Sequence, residues 1–484
     1  MKTKRKTTTT AVDTTDCNSQ PLLFPELIGR KTVTVDFEGG EISSDGGGVL
    51  LGRLDRSYGY LNRFAQCFMD YRDEELIEHS VLDLLRQRVY GLALGYEDLN
   101  DHDQLRSDPL FAAVCGKEDP VGQQRQRELD RGKALAGKST LNRLELTPTW
   151  ASGASRYKKI QADAEAIEDY FINEFVRSLP RRTKQVVLDL DRTNDALHGN
   201  QEGRFFHGYY RQYCYTPFYI FCGDWPVVAA LHTAESEHQD EVRRLVEKVV
   251  ARLRRRFARI RIILRADSGY CRDELMSWCE KANVYYVFGL QKNAVLEAKL
   301  RGSLRKAKRL LDQQQNQSQR VYKDFRYRAQ TWARHRRRVI GKAEWTTQGP
   351  NPRFVISNLE AERYDAQELY EQIYCARGDM ENRIKEQQLD LYADRTSTEV
   401  LWANQLRLWF STLAYLLVNQ LRQVALRGTE MAQATCGTIR LRLFKIGALV
   451  RVTVRRVWIS LSSAYPLANL FSLVVRRLRQ APGG

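Results

Sequence analysis

Three acidic side chains, Asp191, Asp267 and Glu381, stand in contexts that suit them to hold divalent metal ions. Carboxylates are hard oxygen donors of the kind Mg²⁺ takes, because that ion keeps several waters and completes its shell with carboxylate and phosphate oxygens. The first two acids close apolar runs: Gln185-Val-Val-Leu-Asp-Leu-Asp191 and Arg261-Ile-Ile-Leu-Arg-Ala-Asp267 read as buried strands. Each is followed by small or polar residues, Arg192-Thr193 and Ser268-Gly269. In open α/β sheets, sites form outside the carboxyl ends of the strands. Taken singly, either Asp is more commonly a helix N-cap or a turn residue. Side chains alternate along a strand, so Asp189 shares the face of Asp191 and competes with it.

The third acid lies on a helix predicted from Asp365 to about Leu389. Tyr374, Arg377, Glu381 and Gln388 fall at i, i+3, i+7 and i+14, which a uniform α-helix would align on one face. A solvated face with one Arg–Glu pair is the plain alternative. A Tyr, an Arg and a Glu in line are nevertheless poor core material, since buried charges need partners. Two strand-end Asp residues elsewhere in the chain favour a site.

Asp191-x-Thr193, Arg265-Ala-Asp267-Ser-Gly-Tyr270 and Tyr374-x-x-Arg377-x-x-x-Glu381 together resemble bacterial insertion-sequence transposases of the DDE type. The similarity is to the group whose last acid sits in a Tyr-Arg-Glu-Lys signature, and it spans about residues 25–425. Arg377-Gly-Asp-Met-Glu-Asn-Arg-Ile-Lys-Glu386 is similar to one branch of that group. The resemblance implies two Mg²⁺ ions (Mn²⁺ substituting) about 4 Å apart, with Asp191 bridging both and Asp267 and Glu381 each closing one side. It favours Asp191 over Asp189, through the Asp-x-Thr pattern, and gives Tyr374 and Arg377 a phosphate to hold. The signature's Lys falls on Gln388, and Lys385 is the substitute. Implied partners are double-stranded DNA, as terminal inverted repeats and target, and a second copy of the chain in a synaptic complex. The implied activity is phosphodiester hydrolysis and strand transfer in cut-and-paste transposition. In such enzymes an aromatic of a β-rich insertion can hold a flipped base, which points to Trp332.

The elements that must position these residues are legible in the periodicity. Strands at 185–191, 213–221 and 227–232, a helix at 239–257, a strand at 261–267, a helix at 272–282 and a strand at 284–290 follow in the order β-β-β-α-β-α-β. That is the plan of a ribonuclease-H-like α/β fold, a mixed sheet flanked by helices. The chain divides into a flexible basic tail (1–24), a mainly helical region for DNA binding and dimerisation (25–180), the first part of the catalytic domain (181–296), a basic insertion (297–349), the second part with the Glu381 helix (350–425) and a basic C-terminal region (426–484). The insertion carries Arg334, Arg336, Arg337 and Arg338 beside Trp332, read as a DNA-clamping segment or a solvated basic hairpin. Ser139 is a candidate N-cap for a recognition helix.

Composition agrees with a polyanionic partner: 76 Lys and Arg against 59 Asp and Glu give a net charge of +17. Nine scattered cysteines, none in a C-x-x-C pair, argue against a disulfide framework or a zinc ribbon. No apolar run approaches the roughly 18 residues of a membrane span, and the amino terminus has no signal-peptide core. The expected location is the bacterial cytoplasm, at the nucleoid. Histidines 198, 207, 232 and 238 lack zinc-ligand spacing. Tyr209, Tyr210, Tyr213, Tyr215 and Tyr219 suit either sheet packing or base stacking. Rival readings are a ribonuclease-H-like nuclease or resolvase, and a non-catalytic DNA-binding derivative.

Overall fold

The computed structural model describes residues 22–29, 31–236, 238–313, 318–332 and 336–480. The tail up to residue 21, and Arg334, lie outside them. At the centre is a mixed sheet of eight strands. In chain order these are β1 (Gln185–Arg192), β2 (Phe218–Cys222), β3 (Trp225–Ala230), β4 (Arg261–Ala266), β5 (Tyr285–Leu290), β6 (Gln319–Tyr327), β7 (Arg337–Thr346) and β8 (Gly349–Ser357). Their order across the sheet is β3-β2-β1-β4-β5-β8-β7-β6. β1, β4 and β5 run parallel, and every other neighbouring pair is antiparallel. The first five strands reproduce the expected ribonuclease-H-like mixed sheet flanked by helices.

Two expectations shift. The run 213–221 is two strands, because Pro217 has no N–H to donate and the chain turns off the sheet before Phe218. The insertion is not set apart from the sheet. β7 bonds onto β8 and β6 onto β7, widening the sheet at its edge. Both faces of β7 are covered, Val339 and Ala343 by the main core and Ile340 by a smaller cluster on the opposite face.

That two-sided burial explains the near-continuous apolar strands. On one face Leu188, Leu264 and Phe288 meet helices carrying Leu245 and Met276. On the other, Ile263, Val287 and Val355 meet Leu359, Leu369 and Tyr370, which lead into the Glu381 helix. Asp189 and Asp191 lie on this second face, opposite Phe221 and Tyr219 of β2. Farther along it, Tyr415 of the helix Leu401–Leu421 meets Phe221 edge-on, ring centroids 6.0 Å apart.

Leu401–Leu421 is buried on all sides from Leu408 onward, as its largely apolar residues require. The N-terminal helices wrap it: Phe410 meets Phe64 at 6.3 Å, and Arg407 and Arg88 both bind the buried Glu145. One of those helices is Val81–Leu94. Ser80 and Asp83 close a capping box there, and Gly95 ends the helix with φ 99°. Helix Lys138–Glu145 has Gly137, not Ser139, at its N-cap. The C-terminal strands Ala448–Val452 and Val457–Leu461 join Ile42–Ser43 in a small sheet, which ties the C-terminal region to the N-terminal one. Among the described residues no helix is long and apolar enough to cross a membrane.

Candidate active site

In the parallel register of β1 and β4, Arg265 lies beside Asp189 and Ala266 beside Leu190. Both strands therefore reach the same edge together, and Asp191 and Asp267 emerge from neighbouring strands. A cavity of about 680 Å³ opens there. Asp191, Asp267 and Glu381 all line it, with Arg377, Lys385 and Gln388 from the helix and Tyr209 and Tyr210 from the loop across the cleft.

Asp191 is the most constrained of the acids. Its Oδ1 accepts from the Arg192 amide at 2.9 Å and its Oδ2 from Arg377 at 2.9 Å. Burial pushes its carboxyl up to about 6, against the pull of Arg377, with Asp267 and Glu381 adding to the rise. Asp267 caps the short turn Ser268–Tyr270 by accepting from Gly269 N at 2.9 Å. Its capping role and its place in the cleft thus coexist. Glu381 is half exposed and accepts from Arg377 at 2.6 Å. Asp189 is spoken for: Arg265 holds both its oxygens, out of the water, and also donates to the Ile373 carbonyl. That buried pair ties β1 to β4 and to the helix entry, leaving Asp191 as the open acid of this strand.

The helix is not uniform. It runs as an α-turn (Ala366–Glu368), a π-helical stretch (Leu369–Tyr374), a 3₁₀ turn (Cys375–Arg377), an α-helix (Gly378–Lys385) and a second π-helical stretch (Glu386–Asp390). Such widened turns gather at functional sites because they re-aim side chains within a helix. Arg377, Glu381 and Gln388 still face the cleft. Tyr374 lines an adjoining cavity with Asp267, Lys292, Arg353 and Tyr370, and Asp267 borders both cavities.

Gln388 fixes the strand end instead of lining the cleft as a cation. Its amide donates to Asp195 Oδ1 at 2.9 Å and to the Asn194 carbonyl at 3.2 Å, and Thr193 donates to its carbonyl at 3.4 Å. Asp195 is buried, which pushes its carboxyl up to about 8. Lys385 is exposed at the cleft wall.

The insertion residues separate. Trp332 is 3% exposed, packed edge-on against Tyr327. Arg337 is buried and bound to Asp273 at 2.5 Å and Glu280 at 2.7 Å. Arg338 is buried and tied to Asp324. The base-holding role expected of Trp332 and the clamping role of Arg337 are therefore withdrawn, because the Trp332 ring is enclosed and Arg337 seats β7 on the helix Asp273–Lys281. Arg336 alone of that pair is exposed.

Hard carboxylate oxygens suit a divalent ion, but among the described residues no three acidic, His or Cys side chains converge closely enough to hold one. The charge between Asp191 and Glu381 is the Arg377 guanidinium. The donors fit Mg²⁺ or Mn²⁺ in kind, and bringing them onto an ion requires Arg377 to give up its contacts. Pattern reading passed over Asp195 and Gly289. Gly289 could have been noticed as a small residue in a β-rich run; Asp195 carried no signal.

Acids from two strand ends and one covering helix thus share one cleft at the edge of a ribonuclease-H-like sheet. Residues 25–483 match the transposase DDE domain group 1, and the chain belongs to that family. No curated protein matches the sequence. Among solved structures, a piggyBac transposase synaptic complex with hairpin DNA is similar, at 11% identity and a TM-score of 0.39, over 90% of this chain and 82% of that one.

Proposed function

We propose that this chain is an insertion-sequence transposase, of the Tyr-Arg-Glu signature group, that binds terminal inverted repeats, cuts DNA at them and joins the ends to target DNA. The observation that carries this reading is the meeting of Asp191, Asp267 and Glu381 in one cavity although they come from three distant segments. Those three side chains would hold two divalent ions, Mg²⁺ by preference and Mn²⁺ in its place. The ions would activate the attacking water or 3′-hydroxyl and stabilise the leaving oxygen.

The remaining work belongs to the chain's own groups. Arg377 presents a planar fork suited to bidentate contact with phosphate, and Lys385 adds a point charge at the cleft wall. Tyr374, beside Arg353 and Lys292, lines the adjoining cavity where a flanking nucleotide would lie. Gln388 and Thr193 keep the end of β1 in place through Asp195. Exposed Arg336 extends the basic surface along the sheet edge. The net charge of +17 suits a long polyanion, and pairing of two ends requires at least a dimer on DNA.

The test is cleavage of DNA carrying the element's own ends. Asp191→Asn, Asp267→Asn and Glu381→Gln should each abolish Mg²⁺-dependent cutting and strand transfer while the protein still binds the ends. Cutting that survives any one substitution removes that residue from the site.

A further inference from the structure

We propose that the aromatic hairpin beside the catalytic cleft is a stacking platform for unpaired DNA bases next to the phosphate being cut; this rests on the function proposed above. The hairpin pairs Phe205–His207 with Gln212–Tyr215, Phe206 lying opposite Tyr213. Its root is firm: Cys214 and Tyr215 are buried, and Asp195–Ala196 adds a third strand. Its outer part exposes large rings to water, Phe206 at 56%, Tyr209 at 84% and Tyr213 at 42%. A cluster of exposed aromatics at one place on a soluble protein marks a contact surface.

The rings are already arranged against one another. Phe206 and Tyr213 meet edge-on at 5.5 Å and Tyr209 and Tyr210 at 5.1 Å, while His207 and Tyr210 lie tilted at 4.8 Å. The Arg204 guanidinium stands 3.9 Å over the Tyr213 ring. From Gly203 to Tyr215 the chain has Arg204, Arg211 and His207 but no Asp or Glu. Rings interleaved with cations and free of acids are the composition that binds a single strand, bases on the rings and phosphates on the charges.

Position completes the argument. His207, Tyr209 and Tyr210 line the same cavity as Asp191, Asp267 and Glu381. A base resting on these rings therefore belongs to a nucleotide adjoining the reacting phosphate. Bases inside a duplex are covered by their neighbours, so only an unpaired or displaced base can offer a free face.

The experiment compares two fluorescent probes on the full-length protein: single-stranded oligo(dT) and a blunt duplex of mixed sequence. Tyr209→Ala, and Phe206→Ala with Tyr213→Ala, should weaken oligo(dT) binding about tenfold or more while leaving duplex affinity unchanged. Tyr209→Trp should restore it. Tyr209 is mostly in water, so its removal leaves the core intact, and matching thermal melts verify this. Four results overturn the inference while leaving the proposed function standing. These are wild-type protein that binds only the duplex, equal loss on both probes, no loss on either, or a change in self-association without a change in oligo(dT) affinity. Wild-type protein that binds neither probe overturns both.

Discussion

Arg377 donates to Asp191 Oδ2 at 2.9 Å and, from one helical turn away, to Glu381 Oε1 at 2.6 Å. A single guanidinium thus holds two acids that would otherwise repel. A divalent ion seeking the same oxygens must compete with it. Arg377→Gln should lower stability by about 1–3 kcal/mol without added metal, yet increase the rise in melting temperature produced by Mn²⁺. A metal-induced shift identical to that of the wild type would mean that the arginine and the ion do not share ligands.

Gly289 is under steric demand from the site itself. A Cβ there would stand 2.8 Å from the Tyr374 hydroxyl and 2.9 Å from the Ser268 amide nitrogen. The hydroxyl can be removed but the backbone cannot, and that backbone carries Asp267. Gly289→Ala should cost about 1–3 kcal/mol in urea unfolding and should nearly abolish cutting. Adding Tyr374→Phe should return part of the stability but not the cutting. Full recovery of both would place the clash on the tyrosine alone.

Asp195 gives stability a pH dependence of defined sign. Its folded carboxyl sits at about 8, raised mainly by burial, against an ordinary value near 4. Between those values the folded state holds a proton that the unfolded state has released. Stability is therefore highest near pH 4 for this group and falls as pH rises towards 8, by at most about 1.4 kcal/mol per unit. Asp195→Asn keeps the oxygen that Gln388 bonds and removes the titration. Its urea midpoint should fall less than that of the wild type between pH 5 and pH 8 (a range set by the linkage rule). Parallel curves would show that Asp195 is ionised in the folded protein.

Arg336 and Arg337 are adjacent and should behave oppositely. Arg337 is buried between Asp273 and Glu280, so Arg337→Ala should cost about 3 kcal/mol, with DNA affinity of the folded protein unchanged. Arg336→Ala should leave the melt unchanged and lower the salt dependence of DNA binding by about one ion. A reversed result would restore the clamping role to Arg337.

Much of this arrangement could be read from the sequence because it rests on local signals. The runs ending at Asp191 and Asp267 are apolar strands with a sharp polar boundary, and buried parallel strands leave that trace. The Tyr374, Arg377 and Glu381 spacing marks a helix over the sheet, but not its π-helical stretches, since no local composition marks them. The fate of Trp332 and Arg337 was hidden for another reason. Whether a basic aromatic segment faces water depends on which strand it pairs with, and the pairing of β7 with β8 is decided by tertiary packing. Asp195 became visible only once Gln388 was brought beside it.

The buried helix Leu401–Leu421 has a consequence for biosynthesis. The N-terminal helices leave the ribosome first, yet the helix they enclose, Leu401–Leu421, is translated long after them. Until Leu421 has emerged, Phe64 and its neighbours have no Phe410 to close against, so a nascent or prematurely terminated chain carries an open apolar trough. Maturation of this protein is therefore a late event, and truncated products should be handed to chaperones and proteases before they can persist as partial DNA-binding fragments.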